Sequence, residues 1–322
     1  MRKILCVLLC VLMLASALVA CGGDKQDPLQ LGLGVYTAVK TTDAGEANGS
    51  GQVTATVAAV LVDAEGKIVK CVIDCSDNKV AFTAEGKAVA ATEFKTKYEK
   101  KDEYGMRGRS SIGKEWFEQA DAFAALCVGK TAAEVLALVV DGDKGTDEVI
   151  TAGCTITVNE MALAVEKAVK NAKASSATAA DTLKLGVVSA LTSTDATEEK
   201  AGQQKLVTDF AAVVLTAEGK IAAVATDCLQ ATFKFDAKGV ATPLTEQKTK
   251  RELGDDYGMR GRSSIGKEWF EQADAFESVV VGKTLAEVAA LITESLKGND
   301  AVINAGCTIT IEGFTGAIAK VG

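Results

Sequence analysis

The longest regular pattern in this chain is apolar. Residues 53–74 are dominated by Val, Ala, Leu and Ile, many of them β-branched, and are interrupted once, at Asp63-Ala64-Glu65-Gly66. That reads as two strands joined by a tight turn, and residues 207–227 are its counterpart later in the chain. A different spacing follows. Ile112, Trp116, Ala120 and Phe123 would lie along one face of a helix that Ser111 could cap, and Thr131 could start a second helix with Val135, Leu136 and Val139 inward. Two further helical stretches, 159–170 and 313–321, each come after Cys-Thr-Ile-Thr. Strands first and helices later predict an α+β class, with antiparallel strands and a few packed helices.

The pattern recurs because the chain repeats itself. Residues 104–123 and 257–276 are identical over twenty positions, at an offset of 153. The same offset aligns Glu65-Gly66-Lys67-Ile68 with Glu218-Gly219-Lys220-Ile221, Cys75 with Cys228 and Thr155 with Thr308. A period this long predicts a tandem duplication of one domain, since solenoid repeats are several times shorter. Between the copies the chain is rich in Ala, Ser, Thr and Lys, a linker composition with little to bury.

The N-terminus has a separate logic. Arg2 and Lys3 precede an apolar run over residues 4–19, which ends in Leu18-Val19-Ala20-Cys21. A charged start, a short apolar stretch and small-residue cleavage chemistry make residues 1–20 a signal peptide. The ending is similar to the lipobox of bacterial lipoproteins, which implies lipidation of Cys21 and a membrane anchor there. The polar Gly22-Gly23-Asp24-Lys25-Gln26 then reads as the start of a tether. The expected organisation is signal peptide 1–20, tether 21–30, first domain 31–172, linker 173–182 and second domain 183–322. The localisation it implies is the extracytoplasmic face of a bacterial cell membrane.

Composition narrows the chemistry. The net charge is −8 and no basic cluster is present, which argues against nucleic acid. There is no histidine at all. His-dependent triads, most zinc enzyme sites and histidine-ligated haem are thereby excluded. Ordinary acid–base side chains are not the centre of this protein's activity, and no nucleophile and base can be paired to suggest a hydrolase.

One short segment stands out against that background. Thr151-Ala152-Gly153-Cys154-Thr155-Ile156-Thr157 recurs as Asn304-Ala305-Gly306-Cys307-Thr308-Ile309-Thr310. Small residues before a threonine make a turn that can be approached closely and that presents the hydroxyl outward. The segment resembles the flavinylation motif of FMN-binding domains, as in the sodium-pumping NADH:quinone oxidoreductase, where a Ser-Gly-Ala-Thr stretch carries FMN on the threonine through a phosphoester. Carried over by position, Gly153 and Gly306 match the glycine. Cys154 and Cys307 stand where alanine is usual, Ala152 and Ala305 replace the serine, and Thr155 and Thr308 become the flavin-bearing residues. Six positions before the threonine, where the family has an acid, this chain has Val149 and Val302, with Asp147 and Asp300 two positions further back.

The order of hairpin, Ile-Gly-Lys-Glu-Trp-Phe-Glu-Gln and Ala-Gly-Cys-Thr in both copies extends the resemblance to the flavinylated lipoproteins of Gram-positive extracellular electron transfer. It implies two covalent FMN groups, loaded by a flavin transferase that uses FAD and magnesium. It also implies a membrane quinol or flavoprotein as electron donor and an extracellular acceptor. Such a protein is a redox carrier more than a stand-alone enzyme. Covalent attachment suits an extracellular setting, where a dissociable FMN would be lost, and isoalloxazine supplies the redox chemistry without histidine or metal. The block from Tyr104 to Ser111, with Met106, Arg107 and Arg109, is the candidate for the flavin's surroundings, together with Met259 in the second copy. Trp116 and Gln119 follow on the next helix, with Trp269 as counterpart. Trp116 and Trp269 read equally well as core residues, and Arg107 and Arg260 as solvated ones.

Cysteines supply a competing pattern. Each copy has two that could bridge, Cys75 with Cys154 and Cys228 with Cys307. Cys71 and Cys127 are both absent from the second copy, where Val224 and Val280 stand, which suggests a further pair. No Cys-x-x-Cys appears, so a redox-active dithiol is disfavoured. The alternative function is a tandem-domain surface lipoprotein that binds a ligand in a cleft between its domains and has no redox role.

Overall fold

A computed structural model describes residues 28–91 and 93–322, so the signal peptide and Cys21 lie outside the described residues. Three long antiparallel strands open the fold: β1 (Gln30–Thr42), β2 (Gly49–Val62) and β3 (Ile68–Phe82). The turn between β2 and β3 falls at Asp63–Gly66 as expected, with the Asp63 carboxylate accepting from the Glu65 and Lys67 amides. After a short helical turn at Lys97–Tyr104 come α1 (Trp116–Cys127), α2 (Ala132–Leu136), α3 (Asp147–Ala152) and α4 (Asn159–Lys170). The order then recurs as β4 (Thr182–Thr194), β5 (Gly202–Leu215), β6 (Ile221–Phe235), α5 (Trp269–Val280), α6 (Leu285–Ala289), α7 (Asp300–Ala305) and α8 (Glu312–Ala319). The protein is of the α+β class with antiparallel sheets.

Helix α1 starts later than its apolar spacing suggests. Ser111 does not cap it and Ile112 is exposed. Gly113 adopts φ +64 in a turn, and Glu115 caps the helix reciprocally with Glu118. Thr131 does cap α2, through a reciprocal pair with Glu134, and Val135 is buried. That helix ends at Leu136, and Val139 sits in a two-residue strand.

Each β2-type strand is apolar on both faces, and the packing explains why. Alternate residues of the first sheet, Leu31, Leu33, Val35, Val53, Val57 and Leu61, share one core with Leu183, Leu206, Phe210, Val214, Leu229 and Phe233 of the second. The two sheets therefore stack face to face, β1 against β6 and β3 against β4. The residues between, such as Ala58 and Val60 or Ala211 and Val213, point outward under their own helices. The result is four layers: helices, sheet, sheet, helices. A strand buried on both sides needs a near-continuous apolar run.

Contacts between the halves are reciprocal. Phe82 stacks on its positional equivalent Phe235, centroids 4.4 Å apart and rings 3° from parallel. Ala44 N–H donates to the Gly239 carbonyl and Ala196 N–H to that of Gly86, both at 2.8 Å. The Asp43 carboxylate accepts from Ala241 N–H at 2.7 Å, that of Asp195 from Ala88 N–H at 2.9 Å. Lys167 pairs with Glu252 and Lys320 with Glu99. Such mutual contacts are the mark of an isologous interface, here within one chain. The segment between the halves is built in. Lys173–Ala174 pairs with β1, Ser175 Oγ donates to the Leu29 carbonyl, Ser176 Oγ to that of Ala222, and Ala177 is fully buried.

The last helix of each half reaches its sheet over a glycine. A Cβ on Gly34 would overlap the backbone of α4 at Ala164, and one on Gly186 that of α8 at Ala317. This close seating sets the start of α4 and α8, and hence the loop before them that carries Thr155 or Thr308.

Candidate functional site

The two threonines sit at matching corners of the outer helical layers, with both sheets between them. Helix α3 ends at Gly153, which takes φ +96, a left-handed conformation that only glycine adopts without cost. Gly306 ends α7 in the same way at φ +104. The reversal turns the chain so that Cys154 and Cys307 point inward and are fully buried, while Thr155 and Thr308 stay partly exposed. Burial pushes both thiols up to about 11, so they are neutral packing groups.

Each threonine is held by one glutamine. Gln119, fully buried on α1, accepts from Thr155 N–H at 2.8 Å and from the Thr155 hydroxyl at 3.2 Å through the same Oε1. Its Nε2 donates to Ser110 Oγ at 3.3 Å, the Lys114 carbonyl at 3.2 Å and Met106 Sδ at 3.6 Å. Gln272 does the same for Thr308, at 2.9 and 3.1 Å, with Ser263, Lys267 and Met259 as its other partners. Because Oε1 takes the hydroxyl proton, the lone pairs of the threonine oxygen are left directed away from the glutamine.

The loop before α1 is fixed by a buried carboxylate. Glu115, 1% exposed, accepts from the Met106 and Arg107 amides, each at 2.8 Å, and Glu268 accepts from those of Met259 and Arg260 at 2.9 and 2.6 Å. Met106 and Met259 are thus placed against the glutamine amides. Arg107 is engaged by Asp102 at 2.7 Å and Glu118 at 2.9 Å, and Arg260 by Asp255 and Glu271 at 2.8 and 2.7 Å. Lys114 Nζ lies over Gly153, where a Cβ would overlap it, and Lys267 Nζ lies likewise over Gly306. Exposed Ile112 and Ile150, with Ile265 and Ile303 in the second half, leave apolar surface on the loop and on the helix that ends at the glycine.

No known protein family matches the chain, and no solved structure matches it. Over 41 residues it is 51% identical to a chlorophenol reductase of Desulfitobacterium hafniense, a stretch that is 13% of this chain and 12% of the reductase. So short a match carries neither a fold nor an activity.

The structure therefore brings together Thr155, Gly153, Cys154, Met106 and Gln119, and their equivalents. Trp116 and Trp269 pack in the cores beneath these groups. At 5% and 3% exposed they are core residues, each under a lysine, Lys97 at 5.7 Å and Lys250 at 5.2 Å from the ring centre. Val149 and Val302 are fully buried anchors of α3 and α7, so an acid at that position would point into the core, while Asp147 and Asp300 are exposed in the first turn. Among the described residues no cluster of three or more His, Cys, Asp or Glu is arranged to hold a metal ion. The six described cysteines are free thiols. Cys71 and Cys127 do lie side by side, and the contact between their thiols together with burial pushes Cys71 well above its usual range. Lys114, Lys267, Glu115 and Glu268 lie in the identical twenty-residue blocks, but no local pattern in the sequence marks them individually as parts of a site.

Proposed function

We propose that this chain is a lipid-anchored extracytoplasmic electron carrier, a tandem duplication of an FMN-binding-like domain with one FMN held covalently on Thr155 and one on Thr308. The observation that carries this reading is the glutamine-held threonine after a left-handed glycine, reproduced in both halves. The residues fit a phosphate-linked flavin. The threonine is partly exposed with its hydroxyl held by the glutamine, the glycine before it has no side chain in the way, and a cation stands beside that glycine. Bound isoalloxazine would supply one- or two-electron redox chemistry. The chain's part is to hold: Gln119 and Gln272 orient the hydroxyl, Cys154 and Cys307 anchor the turn in the core, and Glu115 and Glu268 fix the loops bearing Met106 and Met259. Cys21 would tether the carrier near a membrane quinol or flavoprotein donor, and an extracellular acceptor would take the electrons.

The test is intact mass after coexpression with a flavin transferase, FAD and magnesium. Two FMN additions are expected, one in each single variant Thr155→Ala or Thr308→Ala, and none in the double. An unmodified wild-type chain refutes the reading.

One observation favours the alternative of a ligand-binding lipoprotein. A cleft of about 910 Å³ opens between the halves, bordered by Leu33, Ala172, Ser176, Val224, Arg251 and Phe270, a volume in the range of small-molecule sites. A colourless protein, without flavin fluorescence after denaturing electrophoresis, would turn the assignment toward that cleft.

A further inference from the structure

We infer that Lys114 and Lys267 are the phosphate-binding groups of the two sites, each taking the anionic phosphate ester of the flavin attached to the neighbouring threonine. The inference rests on the flavin reading above and adds to it the residue that receives the charge.

Three observations converge on these lysines. The first is direction. Each ammonium lies against the glycine two residues before the threonine, in the space a Cβ would fill. The approach is the same in both halves.

The second is charge. Of the loop's other cations, Arg107 and Arg260 each have two carboxylates, while Arg109 and Arg262 have none among the described residues and donate to the carbonyls of Gly105 and Gly258 on their own loop, at 3.4 and 3.3 Å. Lys114 and Lys267 have no carboxylate partner among the described residues, although acids outnumber bases in the chain. Their fields nevertheless reach the threonine turn, since Lys114 opposes the upward shift of the Cys154 thiol and Lys267 that of Cys307.

The third is linkage. The Lys114 carbonyl and the Thr155 hydroxyl are bound by the two ends of one amide, Gln119, and the Lys267 carbonyl and Thr308 hydroxyl by Gln272. The backbone that bears each lysine and the threonine hydroxyl are thus held by one side chain. A phosphodiester carries a single negative charge at neutral pH, and an ammonium beside it is a matched, charge-assisted donor.

The two sites allow the test to carry its own control. Full-length chain bearing Lys114→Gln is loaded by a flavin transferase with FAD and magnesium, and the time course is followed by peptide mass. The tryptic peptides 145–167 and 298–320 differ in sequence and report Thr155 and Thr308 separately. Expected is a slowing of FMN addition at Thr155 by at least about tenfold, with Thr308 in the same molecules unchanged. Lys114→Arg should restore most of the rate, and Lys267→Gln should give the mirror result. Equal rates at the two threonines in Lys114→Gln, or a loss that Arg does not rescue, overturn the inference and leave the flavin reading standing. Absence of FMN from both threonines of the wild-type chain overturns both.

Discussion

The shared core between the sheets makes a definite demand on how this protein unfolds. Phe210 lies at the centre of that core, fully buried, with its ring between the two sheets. Phe210→Ala should cost about 3–5 kcal/mol. If the described residues, about 290, unfold as one unit, their unfolding entropy is roughly 0.6 kcal/mol/K, so a loss of ~4 kcal/mol lowers Tm by about 6–7 °C. If the second half unfolded alone, the entropy would be about half as large, and that half's transition would fall by ~13 °C while the first half's stayed in place. The assay is provided by the sequence itself, because the only two tryptophans are Trp116 in one half and Trp269 in the other. Fluorescence melts of Trp116→Phe and Trp269→Phe, each with and without Phe210→Ala, should give coincident transitions that shift together. Two transitions, with the Trp116 signal insensitive to Phe210→Ala, would refute the cooperative four-layer unit.

Three other outcomes follow from the geometry. Gln119→Leu removes the acceptor of two Thr155 hydrogen bonds at a buried position, which should cost ~2–3 kcal/mol and impair FMN loading at Thr155 only, read by unfolding and peptide mass. Gly153→Ala forces a side chain into φ +96 and against Lys114, which should cost ~1–2 kcal/mol and lower Tm by about 2–3 °C; an unchanged melt would show that the turn relaxes. Burial pushes Asp74, Asp209 and Asp227 up to about 6. Each therefore binds its proton more tightly folded than unfolded, giving stability that is full below the unfolded value and lost as pH rises through about 6. With ~1.4 kcal/mol per unit, each contributes at most about 3 kcal/mol to that slope. Urea titrations at pH 4 and 7 should show Asp227→Asn flattening it, and an unaltered slope would count against the assignment.

Much of the secondary structure was legible because its signals are local. The Asp63–Gly66 turn announces its hairpin, and Thr131 with Glu134 announces a helix start. Ser111 misled because a good cap residue stands beside an apolar helix face, but the glycine at 113 prefers a left-handed turn and Glu115 lies nearer the first buried residue. Trp116 was ambiguous for a related reason: a helix-face pattern does not distinguish the core from a cofactor.

The sequence by itself determined the repetition, the α+β class, the absence of histidine chemistry and the two small-residue turns before Thr155 and Thr308. All of these depend on residue identity or on spacing within a few turns of chain. Only the tertiary structure decided that the two sheets share one core, that the segment 173–182 is sewn to both halves, and that the glutamine and lysine converge on each threonine. Those outcomes depend on which apolar faces find each other, and the same alternating or continuous pattern is compatible with several partners. Gln119 and Thr155 are 36 positions apart and meet because α1 and the turn after α3 pack in one outer layer. Burial of a complementary surface joins them, and no local pattern encodes that meeting.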